Sequence, residues 1–260
     1  MITPFDDVIA DIKKRGFHNH RLEDHSDIVG EGILRDLLKR CETINKDFEA
    51  GKIKYWLNVH TPGARHRKID LLIGESKQGI DAPDLDKLRI CIENKSVVTA
   101  HRNRDARFDD LNEALQVLHE VKPEAVTVAT VMIGTAERVL NVPDKIKPFY
   151  RGRFQEFQNC ILPRFSSGDQ KLWKEFSWAI SNNAPNDPLK ILAKFRSLPQ
   201  RQPGHTHITG YDFVLLVPVF IDNVNSPIVA RINQLGIDVD KDYEAMLNQI
   251  CKAYQARWHL

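Results

Sequence analysis

The chain has 260 residues, with 37 Lys and Arg against 35 Asp and Glu, a net charge of +2, 42% apolar residues and 28% charged ones. This is the balance of a water-soluble globular protein with enough length to bury a large core. It excludes a membrane span, since no run approaches the about 18 apolar residues required, and it neither demands nor excludes nucleic acid.

Four cysteines, Cys41, Cys91, Cys160 and Cys251, are scattered with no CxxC spacing, so free thiols are expected and no structural zinc site is suggested. The first sixteen residues lack the apolar centre of a signal peptide. The expected compartment is the cytoplasm.

In chain order, Thr3 to Arg15 reads as an amphipathic helix with Phe5, Val8, Ile9 and Ile12 on one side. Gly16 ends it, and His18, His20 and His25 follow at a spacing that fits no zinc pattern, as surface or DNA-proximal residues. A long helix is expected from Ser26 or Asp27 to about Phe48, with Ser26 as N-cap and an apolar stripe of Ile33, Leu34, Leu37, Leu38, Cys41 and Ile44. Tyr55 to Thr61 reads as the first core strand, and a basic loop from Pro62 to Lys68 leads out of it.

Two further runs, Lys68–Gly74 and Leu88–Val98, have strand character and flank turn residues Gly79, Asp81, Pro83 and Asp84. Opposed residues of an antiparallel hairpin have a constant sum of numbers. A turn centred between Asp81 and Ala82 therefore sets Asp70 opposite Glu93. Ile69, Leu71 and Ile73 would share one face with Leu88, Ile90 and Ile92, leaving Asp70, Cys91, Glu93 and Lys95 on the other. Two carboxylates and one lysine at one spot are costly unless a divalent cation neutralises the acids. The bland alternative is a surface salt bridge between Glu93 and Lys95, with Asp70 merely opposite.

Directly after Lys95 come Thr99, His101, Arg102, Asn103, Arg104 and Arg107, at the start of a helix expected over about Asp105–Glu120. Cations beside a helix N-terminus make a phosphate cradle. Arg65, Arg67 and Lys68 flank the other side of the acids and could hold phosphates in the same way, or form an ordinary solvated turn.

Ala125–Gly134 reads as a strand buried on both faces and reached by a helical crossover. Helical stretches are expected around Arg151–Leu162, Gln170–Ser181 and Pro188–Ser197, with Trp173, Phe176, Trp178 and Ile180 as core residues. Tyr211–Asp222 returns to strand character, with Pro218 marking an edge or bulge, and Tyr243–Trp258 closes the chain as an amphipathic helix.

The pair Ile69-Asp70 and the triplet Glu93-Asn94-Lys95 resemble the motif of the PD-(D/E)xK nuclease superfamily, the fold of many type II restriction endonucleases. Ile69 stands where the motif name has proline. A literal Pro83-Asp84 lies in the turn, where Asp84 would not easily reach Glu93, so Asp70 is preferred and Asp84 is the fallback. The resemblance implies an α/β fold, a mixed sheet core flanked by helices, restriction-endonuclease-like, in a single domain. Residues 1–140 would form the catalytic core, 141–204 a helical insertion for DNA recognition or dimerisation, and 205–260 a strand and helix completing the core.

It also implies Mg²⁺ held by Asp70, Glu93 and the Asn94 carbonyl, with Lys95 orienting the attacking water. Glu31 resembles a helix glutamate found in many members, a third carboxylate for the metal site; it reads equally as a first-turn acid complementing the helix dipole. The implied activity is sequence-specific cleavage of double-stranded DNA by a homodimer. The rivals are a repair or modified-DNA nuclease of the same fold and a non-catalytic DNA-binding module.

Overall fold

The computed structural model describes the chain apart from residues 1, 16–23, 62–66, 99–100, 144–146, 151, 162, 165–166, 168, 170, 172–173, 175–178 and 260. The expected positions Arg65, Thr99, His18, His20, Trp173, Phe176 and Trp178 lie outside the described residues, and so does the side chain of Arg102.

Helix α1 (Pro4–Arg15) buries Phe5, Val8, Ile9 and Ile12, the stripe expected for it. The long helix is two. α2 (Asp24–Arg40) stops before Cys41, whose backbone is extended (φ −105°, ψ 96°), and α3 (Glu42–Glu49) restarts from it. The apolar stripe runs through the break, so periodicity alone could not show it. Ser26 is inside α2 and not its cap.

Strands β1 (Lys54–His60), β2 (Lys68–Ser76) and β3 (Pro83–Val97) form an antiparallel meander. α4 (Arg104–Val121) crosses to β4 (Val126–Gly134), which lies parallel to β3 and is buried along its whole length. Strands β5 (Arg138–Asn141) and β6 (Ala179–Asn182) pair as a separate ribbon, with α5 (Lys147–Tyr150) and α6 (Phe154–Cys160) between them. The segment expected to be helical up to Ser181 thus ends in a strand.

α7 (Asp187–Arg196) follows, then β7 (Phe213–Phe220), the two-residue β8 (Ile228–Val229) and α8 (Val239–Trp258). The main sheet has the order β1-β2-β3-β4-β7-β8, mixed in direction. Pro218 sits on β7 beside the short edge strand, where a missing donor is tolerated.

α2 packs on β1, β2 and β3, and α8 packs on β7 and β4. α4 contacts β3 and β4, with Ala114 and Leu118 against Leu72 and Cys91. Ile191, Leu192 and Phe195 of α7 belong to the main core, and Phe195 meets Phe108 of α4 edge-on. All four cysteines are free thiols, and no helix among the described residues is long and apolar enough to cross a membrane.

Candidate active site

The β2–β3 register is the one that alternation demands near the acids. Leu71 pairs with Ile92, Leu72 with Cys91 and Ile73 with Ile90, each pair summing to 163. One residue beyond the last ladder pair, the same sum sets Asp70 against Glu93. Toward the turn the sum slips, with irregularities on both sides of Gly74. A Cβ on Gly74 would lie 2.7 Å from the Lys87 carbonyl oxygen, so the bulge needs glycine there.

Two expected faces differ, one of them beyond the slip. Leu88 packs with Leu72 and Cys91 on the α4 side, not with Ile90 and Ile92. Ile69 also packs on that side, next to the one position, Asn58 opposite Asp70, where the β1–β2 ladder has no pair although its register is unchanged. Asn58 has left-handed backbone (φ 56°), and around it Leu57 and Val59 turn to different clusters. Pro83 and Asp84 belong to β3, and the Asp84 carboxylate faces Lys87 at 3.7 Å. At about 3.3 Å per residue, the nine positions to Glu93 put Asp84 on the order of 30 Å away, which removes it as the fallback.

Asp70 and Glu93 are 9% and 1% exposed. The Lys95 ammonium donates to Glu93 Oε2 at 2.5 Å and lies 3.6 Å from Asp70 Oδ2. Where the strand ladder ends, the Asp70 carboxylate takes over: its Oδ2 accepts the backbone N–H of Asn94 at 2.7 Å. The Asn94 side chain points elsewhere. It donates to the Ser26 carbonyl of α2 at 3.2 Å and accepts the Thr130 hydroxyl at 2.7 Å, tying β3 to α2 and β4.

One atom of this cluster is left over. Glu93 Oε1 is buried and accepts no hydrogen bond. Burial pushes the Glu93 carboxyl up to about 7; the Lys95 charge opposes this and the Asp70 charge adds to it. Burial also raises Asp70, against the pull of Lys95 and the Asn94 amide, and the charge of Asp27 adds to the rise. Lys95 itself is held above its ordinary range: desolvation works against its charge, but Glu93 and Asp70 outweigh it. With both acids ionised, the triad carries one excess negative charge.

Glu31 is exposed and enters none of the cluster's hydrogen bonds or ion pairs. The acid of α2 that acts on Asp70 is Asp27, one turn earlier, fixed by the Asn58 amide at 2.6 Å. The sequence signal for Asp27 was its helical spacing from Glu31, which selects a helix side but not which of the two residues reaches the sheet.

The expected cations divide. Arg67 and Arg107 converge on Asp110 of α4 at 3.1 and 2.9 Å, Arg67 also pairs with Glu113, and the Asp110 charge reaches Lys95. Lys68 opens β2, two residues before Asp70. Asn103 is exposed, and Arg104 pairs with the adjacent Asp105 at 3.2 Å. His101, expected in the phosphate-cradling segment, is 5% exposed. His25 is likewise buried, 3.3 Å from Asp11.

Among the described residues no group of three or more His, Cys, Asp or Glu side chains could hold a metal. Mg²⁺, however, keeps several waters and takes only one or two protein carboxylates. The unsatisfied Glu93 oxygen beside Asp70 and the excess negative charge fit such a hard cation. No protein-family description, no curated protein and no solved structure matches this chain.

Proposed function

We propose that the protein is a Mg²⁺-dependent endonuclease of double-stranded DNA, similar to a type II restriction enzyme, with Asp70, Glu93 and Lys95 as its reactive cluster. The observation that carries this reading is the buried Glu93 oxygen with no partner, beside a second carboxylate and an amine. A structural ion pair would satisfy both oxygens, because an unpaired buried acceptor costs about 1–3 kcal/mol.

Asp70 and Glu93, with the Asn94 carbonyl, would hold the cation. Bound there, it would acidify a water and draw charge from the phosphoryl oxygen. Lys95 reaches both acids and so sits where a water attacking phosphorus would be oriented. Arg67 and Arg107, now neutralised by Asp110 and Glu113, can exchange those carboxylates for strand phosphates. The mixed sheet, with a helix crossing from β3 to a parallel β4, supports the restriction-endonuclease-like form of this fold. A homodimer would supply one such cluster to each strand.

Digestion of a plasmid in Mg²⁺ or EDTA tests the reading, using the wild type, Asp70→Ala and Lys95→Ala. Cleavage only by the wild type with Mg²⁺ is expected; equal behaviour of all three proteins in both conditions would remove it. A second reading has its own support. Lys95 closes on Glu93 at 2.5 Å, as it would in a purely structural triad of a DNA-binding module. Mobility shifts without any metal-dependent cutting would favour that reading.

A further inference from the structure

Past β3 the chain makes a short 3-10 turn, His101–Asn103, and enters α4. A cavity of about 390 Å³ opens there, lined by His101, Arg104, Asn182, Asn183 and Asp187 among others. Two of its walls come from far along the chain, the end of β6 and the first turn of α7. Asn183 pins them in place: its Oδ1 accepts the His101 backbone N–H at 3.4 Å, and its Nδ2 donates to the Ala136 carbonyl at 2.8 Å.

One side chain inside this cavity points to a ligand. The His101 side chain is 4% exposed, yet neither ring nitrogen completes a hydrogen bond. Asp187 stands 4.0 Å from Nδ1, and the Gly134 carbonyl is near enough to favour the ring's proton slightly. Burial, with a smaller part from the Arg104 charge, nevertheless holds His101 below its ordinary range. Arg104, the first residue of α4, lines the same cavity and is partly exposed.

The acid of the lining is already engaged. Asp187 already accepts the Ala184 N–H at 2.8 Å and the Lys190 ammonium at 3.3 Å. Asp105 is shared by Arg104 at 3.2 Å and Lys194 at 3.3 Å. Lys190 thus offsets Asp187 of the lining, and Lys194 shares with Arg104 the carboxylate of Asp105.

We propose that this cavity is a phosphate subsite, in which Arg104 and the His101 imidazole hold one phosphoryl group. The carrier of that group rests on the nuclease reading: a DNA strand, held one or more phosphates from the one attacked. A free nucleotide carries the same chemistry. The proposal gives the segment between β5 and α7 a role in substrate binding, since β6 and the start of α7 build half the cavity.

The test uses ¹H–¹⁵N spectra of the histidine rings of the full chain in EDTA, with His101→Gln identifying the His101 signals. Inorganic phosphate, a 5′-deoxynucleoside monophosphate and a short DNA duplex are titrated in turn, into the wild type and into Arg104→Gln, a change at a partly exposed side chain. The His101 signals should shift with the nucleotide and the duplex. Arg104→Gln should weaken duplex binding about tenfold and lower its salt slope by about one phosphate contact. His101 signals unmoved by all three ligands, or unchanged affinity and salt slope in Arg104→Gln, would overturn the proposal. A response to the nucleotide but not to the duplex keeps the subsite and overturns the strand as its carrier. A wild type that never cleaves DNA but shows the shift removes the nuclease reading alone.

Discussion

Glu93→Gln separates the electrostatics of the cluster from its packing. In the folded chain the Glu93 carboxyl binds its proton up to about 7, against an ordinary value of 4.5. At about 1.4 kcal/mol for each tenfold change in proton affinity, ionising it in place costs about 3 kcal/mol. The sign follows from the direction of the change. Between 4.5 and 7 the folded chain holds a proton that the unfolded chain has released, so stability falls as pH rises through that window and levels off above it. Glutamine keeps the shape and removes the charge, leaving Lys95 balanced against Asp70 alone. In EDTA at pH 8 the variant is therefore expected to be more stable than the wild type by up to about 3 kcal/mol, a rise in Tm of about 6 °C at this chain length. At pH 5 the two proteins should nearly coincide. Mg²⁺ should narrow the gap at pH 8 by stabilising only the wild type. Urea or thermal denaturation followed by circular dichroism from pH 5 to 8 reads all three effects. Parallel stability curves for the two proteins across that range would refute the reasoning.

Other outcomes follow from the same geometry. Lys95→Ala should lower the cleavage rate by about 10²–10⁴ in a plasmid assay, the usual contribution of a positioned proton-transfer group. Mg²⁺ affinity, measured by titration calorimetry, should rise about tenfold per pH unit below 7 and flatten above, because Glu93 must lose its proton to bind the ion. Asp27→Asn should lower cleavage more than Glu31→Ala, since Asp27 acts on Asp70 and Glu31 is exposed; equal losses in a plasmid time course would contradict this. Arg67→Ala should weaken duplex binding uniformly across sequences and reduce the salt slope by about one.

The cluster was legible because a hairpin leaves few choices. Once Leu71, Ile73, Ile90 and Ile92 share a face, a pairing sum of 163 brings Asp70 to Glu93, and this is the observed register. What failed was the assumption that one register holds throughout. The bulge at Gly74 turned Leu88 over, and the left-handed Asn58 did the same beside Ile69; neither leaves a mark in apolar alternation. The break at Cys41 was hidden for a related reason, since α2 and α3 carry one continuous apolar stripe across it. The burial of His101 was not legible, because its neighbours in sequence are polar. The residues that bury it, around Asn183 and Asp187, are some 80 positions away, beyond the reach of any local pattern.

The central claim is that Asp70 and Glu93 share a divalent cation, and Mn²⁺ makes this visible. Crystals grown with Mn²⁺ in place of Mg²⁺ should give one anomalous peak at bonding distance, about 2.1–2.2 Å, from Glu93 Oε1 and an Asp70 oxygen, with Lys95 displaced from its 2.5 Å contact. A map with no peak there, and with Lys95 still bridging both carboxylates, would contradict the account.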